Sequence, residues 1–240
     1  MPSGIQRVLT CALLSALSVT LTACGPSDQA DDDEPGRPRS GQRPLTSQQL
    51  EDALPKGGDL PGFHGDPYDL PLFDHDDVVT TDSPKCRPIA ETMNFRPRYE
   101  RRGLAWAALE PDAASEEVDG SISLSSHTVA DAKAWMADLH KALDECTGFT
   151  ATSKRGWTFA FTVGRLPTVK AGHGSVSYTL ANTSSPDGHA GVMTVVRTWG
   201  TLTSYLMSQD PDDPNPVSAA VARRQDERLR AIATRPLTPR

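Results

Sequence analysis

Apolar and polar positions along this chain switch between helical and extended periods, and an uncharged run opens it. Residues 8–23 (VLTCALLSALSVTLTA) contain no charge and no proline and follow a segment whose one cation is Arg7, the outline of a signal peptide over residues 1–23. Residues 25–44 then hold, apart from proline, no aliphatic or aromatic side chain larger than Ala. So little apolar surface does not offset the entropy of ordering, and a disordered linker is predicted over residues 24–45. Thr46 and Gln49 form a capping-box pattern ahead of Leu50 and Leu54, predicting a helix over 46–54 that Pro55 ends. With Pro55, Pro61, Pro67 and Pro71 and few periodic apolar positions, residues 55–82 read as an irregular loop.

Ser83 and Pro84 then open a helix on which Cys86, Ile89, Ala90 and Met93 share a face. Strands are predicted over 104–110 and 121–128. Thr128 caps a helix over 129–145 that keeps Ala132, Trp135, Met136, Leu139, Leu143 and Cys146 in one stripe and turns Asp131, Lys133, Asp138, Lys141 and Asp144 to water. A hairpin over 149–152 and 157–163 aims Trp157, Phe159 and Phe161 at one face, a strand covers 176–180, and one or two strands cover 192–205. Asn215-Pro216 opens a closing helix over 216–232, with a flexible tail at 233–240. Hairpins flanked by helices, without strict strand–helix–strand repetition, define a single α+β domain over 46–232 built on an antiparallel sheet.

Composition narrows the function. A length of 240 residues fits one or two domains, and 20 Pro with 18 Gly make the chain loop-rich without making it collagen-like. Its net charge of -7 excludes nucleic acid as the main partner, since neutralising phosphates needs a basic face.

The cysteines divide by position. Leu21-Thr22-Ala23-Cys24 resembles the lipobox of bacterial lipoproteins, which implies acylation of the Cys24 sulfur, cleavage between Ala23 and Cys24, loss of Cys11 with the leader, and anchoring on the outer side of the cell membrane. Two or more acyl chains make a stable tether where one is marginal. A retained spanning helix or an ordinary secretory signal with a free Cys24 are the competing readings. Sixteen residues fall short of the roughly 20 a span needs, and an exposed thiol is a liability in an oxidising compartment. Cys86 and Cys146 remain, both on apolar helix faces. A disulfide between them closes a 60-residue loop, worth about 4 kcal/mol in the chain-entropy model; two buried free thiols or an intermolecular bond are the alternatives.

Candidate chemistry is sparse. No G-x-S-x-G, H-E-x-x-H, C-x-x-C, P-loop or G-x-G-x-x-G occurs. His64, Asp66, Asp74, His75, Asp76 and Asp77 are dense in potential ligands but irregularly spaced, so a solvated acidic loop is expected and no metal or cofactor. Gly172-His173-Gly174-Ser175 reads as a tight bend rather than a Ser-His pair. Arg96, Arg98, Arg101 and Arg102 form the one local basic cluster, suited either to a phosphate or carboxylate ligand or to a charged approach to a strand.

The layout as a whole resembles the actinobacterial sensor-like domain family typified by the extracellular part of the mycobacterial serine/threonine kinase H. The resemblance rests on Asp59-Leu60-Pro61-Gly62-Phe63, on Ala142-Leu143-Asp144-Glu145-Cys146-Thr147-Gly148-Phe149, on Val195-Val196-Arg197-Thr198-Trp199-Gly200, and on a final helix bearing Arg223, Arg224 and Arg228. It implies an α+β domain with a large cleft for an extracellular ligand and no catalytic residues. That kinase's domain has two disulfides where this chain can form one, and with no kinase or spanning helix here a partner must carry any signal inward. The expected function is a lipid-anchored, non-catalytic sensor-like or ligand-binding protein whose partners are the membrane and a small extracellular ligand or envelope protein. Its rivals are an envelope hydrolase assembled from dispersed residues, marked by a buried His beside a Ser or Asp in a pocket, and a structural or chaperone-like lipoprotein, marked by a broad exposed apolar patch.

Overall fold

The computed structural model describes residues 43–67, 79–93, 98–113, 119–184, 190–209 and 214–235, which belong to one compact unit, Pro38–Arg240. The leader, the lipobox residues Leu21, Thr22, Ala23 and Cys24, most of the linker, and Asp74, His75, Asp76, Asp77 and Arg96 lie outside the described residues.

Helix α1 (Ser47–Ala53) starts as its sequence dictates. The Thr46 hydroxyl accepts from the Gln49 N–H while the Gln49 side chain accepts from the Thr46 N–H, closing the capping box. Strands β1 (Gly57–Leu60) and β2 (Phe63–Pro67) follow, where a loop was expected. Leu60 pairs with Phe63, so Pro61 and Gly62 (φ 78°) form the two-residue turn between them. The proline and glycine density reflects hairpin punctuation: Pro55 precedes β1, Pro61 turns the chain and Pro67 ends β2. Phe63 and Gly65 point inward while His64 and Asp66 face solvent. Strand β3 (Thr80–Thr81) is a short edge piece.

A 3-10 turn (Pro84–Cys86) leads into α2 (Arg87–Met93), so Cys86 sits just ahead of the α-helix rather than in it. Strands β4 (Gly103–Pro111) and β5 (Gly120–Ser126) precede α3 (Val129–Glu145), whose Thr128 cap accepts from the Asp131 N–H. Then come β6 (Gly148–Thr152), β7 (Thr158–Leu166), β8 (Ser175–Asn182), β9 (Ala190–Thr198) and β10 (Thr201–Gln209). Trp157 precedes β7 and is 60% exposed, so it does not join Phe159 and Phe161 as its spacing predicted. The closing helix α4 (Ala219–Ala233) begins three residues later than Asn215-Pro216 suggested, because the Ser218 hydroxyl supplies the cap to the Val221 N–H.

The ten strands among the described residues form one antiparallel sheet in the order β1-β2-β4-β5-β10-β9-β8-β7-β6-β3. The fold is therefore α+β. Helices cover opposite faces of its two halves. Tyr205 and Met207 of β10 join a core with Ala107, Leu109, Ile122 and Leu124 under α1 and α4. Leu202 faces the other way, into a core with Val195, Tyr178 and Phe149 under α2 and α3. Strands β9 and β10 are shared by both cores, which is why residues 192–196 (VMTVV) are buried without alternation.

Candidate functional site

The disulfide sets the local geometry. Pro84 fixes the first position of the 3-10 turn, the Cys86 N–H donates to the Ser83 carbonyl, and the turn points Cys86 at the last residue of the helical stripe on α3. Cys86 and Cys146 are bonded across a Cα–Cα distance of 5.3 Å and are both buried, which ties the start of α2 to the end of α3.

A cleft of about 370 Å³ opens along that seam, lined by Pro84, Lys85, Arg87, Arg98, Asp138, Lys141 and Glu145 among others. Its charges are partly matched. Arg87 Nε donates to Glu91 at 2.6 Å, and Arg98 Nη2 to Asp138 at 2.5 Å. The Tyr99 hydroxyl also donates to Asp138, and burial followed by that bond pushes its pKa up, keeping the phenol neutral. Lys85, Lys141 and Glu145 make no ion pair among the described residues, which leaves the cleft a net cation. A phosphate or carboxylate matches that balance.

Of the expected basic cluster, Arg98 alone lines this cleft. Arg102 pairs with Glu100 at 2.7 Å, Arg101 lies within the field of His127, and Arg96 is outside the described residues. The sequence pointed to the polar side of α3 only as a face for water. Asp138, Lys141 and Glu145 recur there at i, i+3 and i+7, the spacing of one helical row, and that signal could have marked the wall of a cleft.

A second cleft, about 420 Å³, lies between α1 and β4, lined by Gln48, Glu51, Asp52, Leu54, Lys56, Leu104 and Trp106 among others. Strand β2 is described as far as Pro67, which pairs with Ala107 at the edge of this cleft. Its charge is the reverse of the first, with Glu51 and Asp52 against Lys56.

Among the described residues the Ser-His arrangement that marks a hydrolase occurs at His127, which the sequence did not single out. His127 Nε2 lies 3.2 Å from the Ser125 hydroxyl and Nδ1 2.9 Å from the Glu100 carbonyl. A carbonyl only accepts, so Nδ1 carries the proton and Nε2 accepts from Ser125. Burial lowers the His127 pKa, which holds the ring neutral in that role. Both residues are buried, and neither lines either cleft. The pair packs edge-on beneath Trp135, at 5.3 Å between ring centroids, as an internal brace.

His173 and Ser175 point apart as expected: Nδ1 of His173 accepts from the Trp199 N–H, and the Ser175 hydroxyl donates to the Val169 carbonyl. Among the described residues no three His, Cys, Asp or Glu side chains gather as a metal site. Trp157 is the exposed large hydrophobic among them, one side chain rather than a broad patch. No described helix is long and apolar enough to cross a membrane.

A disulfide-stapled α+β domain, with an antiparallel sheet covered by helices on opposite faces and open clefts at its rim, is the class that fold and site define. The chain belongs to the family of PknH-like extracellular domains, which it matches over residues 45–226. Its role is accordingly extracytoplasmic and sensor-like. Among solved structures it is similar to the extracellular domain of PknH from Mycobacterium tuberculosis, at 11% identity and a TM-score of 0.46, covering 81% of this chain and 97% of that one. No curated protein matches it.

Proposed function

We propose that this protein is a lipid-anchored, non-catalytic sensor that binds a small anionic ligand in the cleft at the α2–α3 seam. Membership of an extracellular-domain family over residues 45–226, immediately behind a lipobox-like Leu21-Thr22-Ala23-Cys24, is the observation that carries this reading. In it, residues 1–23 are removed as a leader, Cys24 holds the acyl chains, the segment up to residue 45 is a spacer, and residues 46–232 do the binding. Lys85 and Lys141 attract the anion, Arg87 and Arg98 orient around it from carboxylate-held positions, and the disulfide fixes the two walls. A cleft of this size lies within the range of small-molecule sites.

The test has two arms. A chain made in its own host with a clickable fatty acid takes the label in the membrane fraction, and Cys24→Ser abolishes the label and releases the chain. Native mass spectrometry of the released chain shows a retained small anion that Lys85→Gln with Lys141→Gln loses. Absence of any retained or titratable anion, inorganic phosphate included, removes the ligand-binding half of the proposal.

A further inference from the structure

Two motifs that line neither cleft meet at one end of the sheet: Gly172-His173-Gly174, in the connection from β7 to β8, and Trp199-Gly200, which turns β9 into β10. The backbone locks the first against the second. The His173 N–H donates to the Arg197 carbonyl at 2.6 Å, and the Arg197 N–H to the Gly174 carbonyl at 2.9 Å. Gly172 (φ 62°) permits this approach, since a side chain there would collide with the Arg197 carbonyl. Among the described residues Trp199 alone of the non-glycines has a left-handed backbone, φ 49°. That conformation is costly for a bulky side chain and persists only where its surroundings over-determine it. Four contacts hold it. The Trp199 N–H donates to His173 Nδ1 at 3.2 Å, its carbonyl accepts from Arg197 Nη1 at 3.2 Å, its ring packs on the His173 ring at 5.7 Å between centroids, and the Arg230 guanidinium lies over it at 4.9 Å.

A backbone N–H only donates, so Nδ1 accepts and the neutral His173 ring carries its proton on Nε2. A second proton has one place to go, Nδ1, where it sets donor against donor. His173 is exposed, so solvent delivers that proton directly. Arg230 from α4 and Arg197 from β9 face the ring and oppose it; Asp226 of α4 favours it, but is already engaged by Arg230 at 2.9 Å and by the Thr198 hydroxyl at 2.6 Å. Lys170 lies three residues earlier in the same connection, and His127 lies behind the turn, its backbone N–H donating to the Gly200 carbonyl at 2.8 Å. Partial burial, foremost, and the two guanidiniums hold the His173 pKa below the ordinary 6.5.

We infer that Trp199 is a latch that acid opens: protonation of His173 at Nδ1 breaks its bond to the Trp199 N–H, Trp199 leaves the left-handed region, and Arg230 loses the ring that seats α4 on the β9–β10 turn. The closed turn binds this proton less readily than the open one, so a fall in pH shifts the population towards the open form and a rise restores the latch. In the open form the Thr198–Asp226 bond still ties α4 to the end of β9. The device needs no ligand, and it rests on neither the lipid anchor nor the anion cleft proposed above.

Amide NMR of the isotope-labelled, unlipidated Cys24→Ser chain between pH 8 and pH 4.5 tests this. The Trp199 N–H signal should move with the midpoint of the His173 ring, while its HN–Hα coupling and carbon shifts pass from left-handed to ordinary negative-φ values. His173→Asn, whose Oδ1 stands near the Nδ1 position and takes no proton in this range, should hold the pH 8 signals throughout. His173→Phe, a ring without an acceptor, should show open-turn signals already at pH 8. Arg230→Gln should raise the midpoint by about half a pH unit, about threefold in proton concentration, because one opposing cation is gone. Unchanged amide signals from α3 show that each variant is folded. A Trp199 signal that ignores pH, one that moves equally in His173→Asn and so follows His127, closed-turn signals in His173→Phe, or a midpoint that Arg230→Gln leaves in place overturns the latch.

Discussion

The two halves of the sheet solve one problem with different chemistry. The half built on β1, β2, β4 and β5 is closed by helices from opposite ends of the domain. Gln225 Nε2 donates to the Ala53 carbonyl at 3.0 Å, Arg228 donates to the Ala53 and Leu54 carbonyls at 3.3 and 2.7 Å, and Arg228 also meets Asp59 at 2.8 Å. Those carbonyls are the ones a helix C-terminus leaves without intrahelical partners. The half built on β6, β7, β8 and β3 is closed by the Cys86–Cys146 bond, with α2 packed along α3. A polar clasp depends on geometry and desolvation, a covalent one on redox state. The covalent tie falls beside the two-residue edge strand β3 and joins the short helix α2, buried from Pro88 to Met93, to the end of α3.

Breaking the covalent tie should have the largest effect. Replacing Cys86 and Cys146 together by Ala frees a 60-residue loop and should cost about 4 kcal/mol in urea unfolding. Hydrogen exchange should then rise first in α2 and β3 while α1 and α4 stay protected. The clasp should matter about half as much. Arg228→Met strips two carbonyls and Asp59 of a partly buried charged donor, an expected loss of about 2 kcal/mol, with exchange rising at the end of α1 and in α4. If either change opens both halves together, the sheet is one cooperative unit and the comparison fails.

Acidification should act more gently, through the histidines that brace the strand ends. Burial, foremost, lowers the His127 pKa, and burial with Arg230 and Arg197 lowers that of His173. A folded-state value below the ordinary 6.5 means the unfolded chain takes up its proton first. Stability is then intact above about pH 6.5 and declines as pH falls through the folded values. Urea midpoints measured from pH 8 to 5 should show that decline, and His173→Gln should flatten part of it.

Much of this division was legible in the sequence. The capping box at Thr46, the Thr128 cap and the apolar stripe of α3 placed their helices because each signal is local. Cys86 and Cys146 could be paired because both fell on apolar faces. Strands β1 and β2 were missed because proline and glycine mark the ends of short strands and the interior of loops alike; only the Leu60–Phe63 register separates the two. The family resemblance implied a cleft, but which residues wall it was invisible for a different reason. Arg98 meets Asp138 across 40 positions and Arg228 meets the end of α1 across 174 or more, and no periodicity encodes such meetings. Val192–Val196 declared itself a buried strand, yet nothing in it told that helices cover both faces.

The smallest predicted effect bears on the strands the two halves share. Tyr205 lies in the centre of β10, fully buried on the α1–α4 side, and its hydroxyl has no hydrogen-bond partner among the described residues. Burial, with the charge of Asp226, pushes its pKa well above the usual 10.0, so the group stays neutral and adds no ion pair. A buried hydroxyl without a partner carries a desolvation cost that an isosteric ring lacks. Tyr205→Phe should therefore leave stability unchanged or raise it by up to about 1 kcal/mol, read as the urea midpoint at pH 8. A loss above about 1 kcal/mol would mean that the hydroxyl meets a partner in solution. Asp226, whose charge acts on the hydroxyl, is the acid to test, and it already accepts from Thr198 at 2.6 Å and Arg230 at 2.9 Å. In that event the clasp on α4 would extend into the shared strands, and the two halves would be joined by polar chemistry as well as by the sheet.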